Sequence, residues 1–158
     1  MKAIRERVDG INFDSRLEAQ AYRLLVAVYG KQRVYCQYPI ALIGKQEYFT
    51  PNITHRIDFA VFDEEIKNVV LLIEVKGTLC DSFLGKAEYV RTLEILRLRY
   101  PELMECYQVW VGDGVKGFKY GCPVSIPFAH KFPLNTTQVR IAGDSSLGKS
   151  VNSNVKAP

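Results

Sequence analysis

Hydrophobic and polar positions divide the middle of the chain into two apolar runs around a polar one. The first run is Ile57-Asp58-Phe59-Ala60-Val61-Phe62 and the second is Val69-Val70-Leu71-Leu72-Ile73-Glu74-Val75, with Asp63 to Asn68 between them. This pattern predicts two antiparallel strands joined by a short loop, spanning Arg56 to Gly77. Residues that face each other in a hairpin are placed symmetrically about its loop. Asp58 and Glu74 are symmetric about Ile66 and are therefore expected side by side, on one face. Lys76, two residues past Glu74, should point the same way. Both faces of the second strand are apolar, Val69, Leu71, Ile73 and Val75 against Val70 and Leu72, as in a strand covered on both sides.

The flanking segments fill out a sheet between helices. Residues 1–14 are polar and end in Asp9-Gly10-Ile11-Asn12-Phe13-Asp14, a turn or short ribbon. A helix is expected from Ser15, where Ser15 and Glu18 have capping-box spacing. Leu17, Ala21, Leu24, Leu25 and Val28 recur along it at helical intervals, and Gly30 stops it. Arg33 to Ile43 reads as a strand in which Val34, Cys36, Tyr38, Ile40 and Leu42 alternate with the other set. Pro39 makes it an edge strand or interrupts it. Gly44 to His55 reads as a polar connection. Lys86 to Tyr100 reads as a helix ended by Pro101, with Ala87, Val90, Leu93 and Leu96 or Leu98 as its buried side. Tyr107 to Val111 is a further strand. A stretch with Gly112, Gly114, Gly117 and Gly121 follows, in which Lys116, Lys119 and Lys131 stand among aromatic residues. It reads either as a loop or hairpin contacting nucleic acid or as an irregular edge of the core. The expected fold is α/β: one domain over residues 1–141, a mixed sheet with the hairpin central and helices on both faces, then a loose tail over 142–158.

Two neighbouring carboxylates repel, and each resists ionisation. A hard divalent cation with oxygen ligands resolves that conflict, and Mg²⁺ is commonly held by one or two carboxylates with water and substrate phosphate. A lysine beside it can orient a water or neutralise developing charge. The plainer alternative is that Asp58 and Glu74 are polar strand ends and that Lys76 pairs with one of them. Glu18 likewise either only closes the helix cap or reaches over the sheet toward the acidic pair.

Charge and cysteines narrow the picture a little. The 158 residues carry a formal charge of +4, which permits a polyanionic partner without demanding one. Cys36, Cys80, Cys106 and Cys122 are widely spaced, with only His55 and His130 beside them, so neither a zinc site nor a disulfide framework is expected. The start Met-Lys-Ala-Ile-Arg-Glu-Arg has no apolar signal core, and no apolar run is long enough to span a membrane. A reduced, cytoplasmic protein is expected.

The order of a helix with Glu18, a strand with Asp58 and a strand with Glu74 and Lys76 resembles the PD-(D/E)XK, restriction-endonuclease-like nuclease superfamily. Within it, the chain is similar to the phage-type endonuclease I family of Holliday-junction resolvases, and also to small phage nucleases and transposase cleavage subunits. Four pieces carry the resemblance: Phe13-Asp-Ser-Arg-Leu-Glu18, Asp58-Phe59, Glu74-Val-Lys-Gly77, and the helix ending Tyr100-Pro-Glu-Leu103 before a strand. Ile57 stands where the motif has proline, a structural position. The resemblance implies that Glu18, Asp58 and Glu74 serve a Mg²⁺ site, with Mn²⁺ substituting and the Val75 carbonyl as a further ligand. It implies that Lys76 serves the attacking water. The implied activity is DNA endonuclease, leaning to four-way junctions; a sequence-specific duplex endonuclease and a non-catalytic nucleic-acid-binding module are the alternatives. Lys86, Arg91, Lys116, Lys119 and Lys131 are the candidate DNA contacts. Paired cuts would call for a homodimer or higher oligomer.

Overall fold

The computed structural model describes residues 4–43, 53–77 and 87–123. The elements, in chain order, are β1 (Glu6–Val8), β2 (Ile11–Phe13), α1 (Arg16–Tyr29), β3 (Val34–Ile43), β4 (Ile53–Phe62), β5 (Val69–Gly77), α2 (Ala87–Arg99), α3 (Pro101–Glu105), β6 (Tyr107–Asp113) and β7 (Gly117–Pro123). A short 3₁₀ turn, Lys31–Arg33, joins α1 to β3. β1 and β2 form a two-stranded ribbon. Asp9 and Gly10, both at positive φ, make its two-residue turn between the paired Val8 and Ile11.

The main sheet has five strands in the order β3-β4-β5-β6-β7. Neighbours run antiparallel except β5 and β6, which are parallel and joined through α2 and α3. The fold is therefore α/β with a mixed sheet. The expected hairpin is β4–β5, inside the sheet, and Pro39 lies on the edge strand β3 as its missing N–H requires.

Alternate residues of β4 and β5 feed two apolar clusters. Phe59, Val61, Leu71, Ile73 and Val75 pack with Leu17, Ala21, Tyr22 and Leu25 of α1 and with Trp110. Ala60, Phe62 and Leu72 pack with Tyr89, Leu93 and Leu96 of α2 and with Leu103 and Met104 of α3. α1 begins as its sequence dictates. Ser15 Oγ accepts the Glu18 amide at 3.1 Å and donates to Glu18 Oε1 at 2.9 Å, and Gly30 at φ 86° closes the helix.

Three expectations need correction and one needs an addition. The polar connection ends before Ile53, so His55 lies within β4. On α2 the buried residues are Tyr89, Leu93 and Leu96, whereas Ala87, Val90 and Leu98 are exposed. Leu93 and Leu96 fit two helical stripes, and the sheet selects the one containing the larger Tyr89. Pro101 ends α2 but also opens α3, where its fixed φ and missing N–H suit the first turn. Finally, β3 does not keep one alternation. Val34 and Cys36 belong to the α1 cluster, whereas Tyr38, Ile40 and Leu42 belong to the α2 cluster. The change occurs at Gln37, a non-glycine residue at φ 53°. Ile57 and Phe59 on β4 divide between the clusters in the same way, around Asp58.

Candidate active site

That switch coincides with a fork in the sheet. The β4–β5 ladder runs through Val61↔Leu71, Ala60↔Leu72 and Phe59↔Ile73 and stops there. Beyond it β4 stays with β3, from Tyr38↔Ile57 to Ala41↔Thr54, while β5 stays with β6, through Glu74↔Val109 and Lys76↔Val111. Asp58 and Glu74 are the next residues out from the last rung. Their expected juxtaposition follows from the register, although it falls where the backbones part. The Asp58 side chain stands in for the missing backbone partner, as Oδ2 accepts the Val75 N–H at 2.7 Å. Gln37 Nε2 lies 3.4 Å from Oδ1, a weak contact.

Glu74 is 5 % exposed, which is rare for a glutamate. Lys76 Nζ lies 2.6 Å from its Oε1. Its Oε2 faces His55 Nε2 at 3.8 Å and the Tyr107 hydroxyl at 3.5 Å. Tyr107 in turn contacts Tyr89 of α2, hydroxyl to hydroxyl, at 3.3 Å.

These carboxyls hold their protons unusually well. Burial, and then the Glu74 charge, raise Asp58 well above its ordinary value, against the pull of the Val75 amide and Lys76. Burial also raises Glu74; Lys76 and Tyr107 oppose this, and the Glu18 charge adds to it. Glu18 is raised by burial and by the Asp58 charge, with the Ser15 hydrogen bond opposing. Glu18 therefore caps its helix and shares the electrostatic field of the pair, so its two readings are compatible. Cys36 stands in the same field: burial and then Glu18 push its thiol up to about 11, which keeps it protonated and inert.

The donor set suits a hard cation. It offers carboxylate oxygens whose mutual repulsion a divalent charge would relieve, together with the backbone of Val75. Among the described residues no three His, Cys, Asp or Glu side chains converge into a ready-made metal cage. A cation here would therefore take two carboxylates, with water and substrate completing its shell, as is usual for Mg²⁺.

The basic candidates divide. Gly77 pairs with Gly112, so the β6–β7 turn lies at the same end of the sheet as Lys76. Asp113 Oδ1 accepts the Val115 and Lys116 amides at 2.7 and 3.3 Å and shapes that turn. Gln20 Nε2 donates to the Gly114 carbonyl at 3.3 Å, tying the turn to α1. Gly112 permits the approach, because a Cβ there would meet Gly117 O at 2.7 Å and Leu17 Cδ1 at 2.9 Å. Lys116 and Lys119 are exposed on this hairpin. Arg91 is exposed on α2, two residues and so about 200° around the helix from the buried Tyr89, and is not brought to the acidic pair. Lys86, Lys131, Cys80 and the expected tail over 142–158 lie outside the described residues. No helix among the described residues is long and apolar enough to cross a membrane.

Two site neighbours escaped the sequence reading, His55 and Tyr107. His55 had a usable signal, since Ile53-Thr54-His55 continues the β-branched pattern of β4. Tyr107 had none, because its meeting with Glu74 depends on the register of two strands separated by helices.

No protein-family model, curated protein or solved structure matches this chain. What defines it is a mixed α/β fold with a partly buried acidic cluster and a lysine in the fork of its central hairpin.

Proposed function

We propose that this chain is a metal-dependent DNA endonuclease that hydrolyses phosphodiester bonds at the Glu18, Asp58, Glu74 and Lys76 cluster. The observation that carries this reading is the juxtaposition of buried Glu74 with half-buried Asp58, each raised by desolvation and by neighbouring negative charge, with Lys76 2.6 Å from Glu74. Such a pair costs stability in a purely structural sheet end and is the kind of feature that marks functional sites. When bound, Mg²⁺ would supply Lewis acidity toward a phosphate oxygen and a more acidic water. Asp58, Glu74 and the Val75 carbonyl would hold it, and Glu18 would extend the negative field toward it. Lys76, anchored on Glu74, would orient the attacking water or offset charge growing on the phosphate. Lys116 and Lys119, on the hairpin at the same sheet end, suit contacts to the DNA backbone.

For the substrate we favour branched DNA, a four-way junction, over a sequence-specific duplex, on the resemblance of the motif order to junction resolvases. Symmetric cutting of two strands would require a dimer. The test is an assay of purified protein on a four-way junction, a plain duplex and single strands, with Mg²⁺, Mn²⁺, Ca²⁺ or chelator. Cleavage is expected with Mg²⁺ and Mn²⁺, preferentially on the junction, with little turnover in Ca²⁺ and none in chelator. Full activity in chelator would refute the metal-dependent reading, and equal binding of junction and duplex would promote the sequence-specific one.

A further inference from the structure

We propose that His55 Nε2 joins Glu74 Oε2 as a ligand in a mixed nitrogen-and-oxygen cation site, which binds a first-row transition ion such as Mn²⁺ more tightly than Mg²⁺. This rests on the metal-dependent reading above and adds a ligand that the acidic motif does not contain. Among the described residues, His55 Nε2 is the one buried side-chain nitrogen or oxygen without a hydrogen-bond partner. Buried polar atoms are normally satisfied, and an exception calls for a reason. Glu74 Oε2 lies 3.8 Å from it, beyond hydrogen-bond range.

An ion pair accounts poorly for this spacing. In the tautomer with the proton on Nδ1, Nε2 turns a lone pair toward a carboxylate oxygen. Two lone pairs that face each other across a gap repel, and a cation between them converts that repulsion into coordination.

The geometry leaves room for it. Lys76 engages the other oxygen of Glu74, Oε1, at 2.6 Å, so Oε2 can coordinate without displacing the lysine. Two ligands each about 2.1 Å from one ion, at right angles, stand about 3 Å apart. The 3.8 Å gap therefore needs to close by less than about 1 Å. The fork supplies that freedom, because His55 lies on the β3–β4 branch and Glu74 on the β5–β6 branch, past the last rung between them. Imidazole favours first-row transition ions over hard ions such as Mg²⁺ and Ca²⁺.

The experiment is pulsed electron paramagnetic resonance of the full chain loaded with Mn²⁺ alone, paired with calorimetric titrations of Mn²⁺ and Mg²⁺. The chain has two histidines, so His55→Gln and His130→Gln assign any nitrogen signal. A coupling from directly bound nitrogen is expected in the wild type and in His130→Gln, and its loss in His55→Gln. Mn²⁺ affinity should fall at least about 10-fold in His55→Gln, with a change in Mg²⁺ affinity below about 3-fold. If His55→Gln does not fold, ¹⁵N-histidine labelling of the wild type reads the same coupling. Mn²⁺ bound in a Glu74-dependent way without nitrogen coupling would overturn the His55 ligand and leave the acid-centred cation site standing. No Mn²⁺ binding at all would overturn both.

Discussion

Asp58 lies within β4 and Asp63 directly follows its last residue, and the two meet opposite fates. Asp63 opens the loop to β5. Its Oδ1 accepts the Lys67 amide at 2.8 Å and its Oδ2 accepts the Asn68 side-chain amide at 2.7 Å. Slight burial pushes its carboxyl up, but these hydrogen bonds and the Arg33 charge outweigh that and hold it below its ordinary value. Asp58 has one good donor, the Val75 amide, and burial, then the Glu74 charge, raise its carboxyl. One aspartate is spent on folding a turn, where its charge is fully answered. The other has its charge only partly answered, by the Val75 amide and Lys76, and such a group is available to a ligand.

The largest expected effects come from exchanging those fates. Asp58→Asn keeps an acceptor for the Val75 amide and removes the charge. It should lower cleavage by roughly 10³-fold or more while the metal-free protein unfolds at the same temperature or higher. Glu74→Gln should behave alike. Asp63→Ala should do the reverse, losing about 1 kcal/mol of stability in denaturant titration and cleaving at the wild-type rate. Loss of activity in Asp63→Ala, or severe destabilisation in Asp58→Asn, would break the contrast.

A smaller effect is expected at the β6–β7 hairpin. Lys116→Ala with Lys119→Ala should reduce the slope of log affinity against log salt by about two on any DNA sequence. An unchanged slope would remove this hairpin from the DNA interface.

Much of this was legible in the chain because local rules and register coincide. The symmetry of Asp58 and Glu74 about Ile66 carries through to Phe59↔Ile73 despite a bulge between Val61 and Phe62. Ser15, Glu18 and Gly30 bound α1 through backbone chemistry that needs no tertiary context. The fork was not legible. Alternation assumes a continuous pleat, and Gln37 at φ 53° breaks it without a glycine to announce the break. His55 reads from its polar surroundings as part of a connection, yet it lies in β4, three residues from Asp58 and across from Glu74. The buried stripe of α2 was equally undetermined, because what selects Tyr89 is the sheet surface and Tyr107, both remote in sequence.

The smallest effect is one of sign with pH. A raised carboxyl binds its proton more tightly in the folded state. The contributions of Asp58, Glu74 and Glu18 are therefore fully present below the unfolded values, about 4, and are lost as pH rises through the raised ones. Asp63 acts oppositely: its contribution is present above about 4 and is lost as pH falls through its lowered value. Metal-free Asp58→Asn should accordingly show a flatter loss of stability from pH 4 upward, about the range in which the raised groups titrate.

The central claim, that the acidic pair is held ready for a divalent cation, is tested most directly by following the Asp58 and Glu74 carboxyl carbons by NMR through a pH titration, with and without Mg²⁺. The account predicts raised titration midpoints in the metal-free protein and a fall below the ordinary carboxylate value when Mg²⁺ is added. Midpoints that are ordinary without the ion, or that stay unmoved at saturating Mg²⁺, would contradict it.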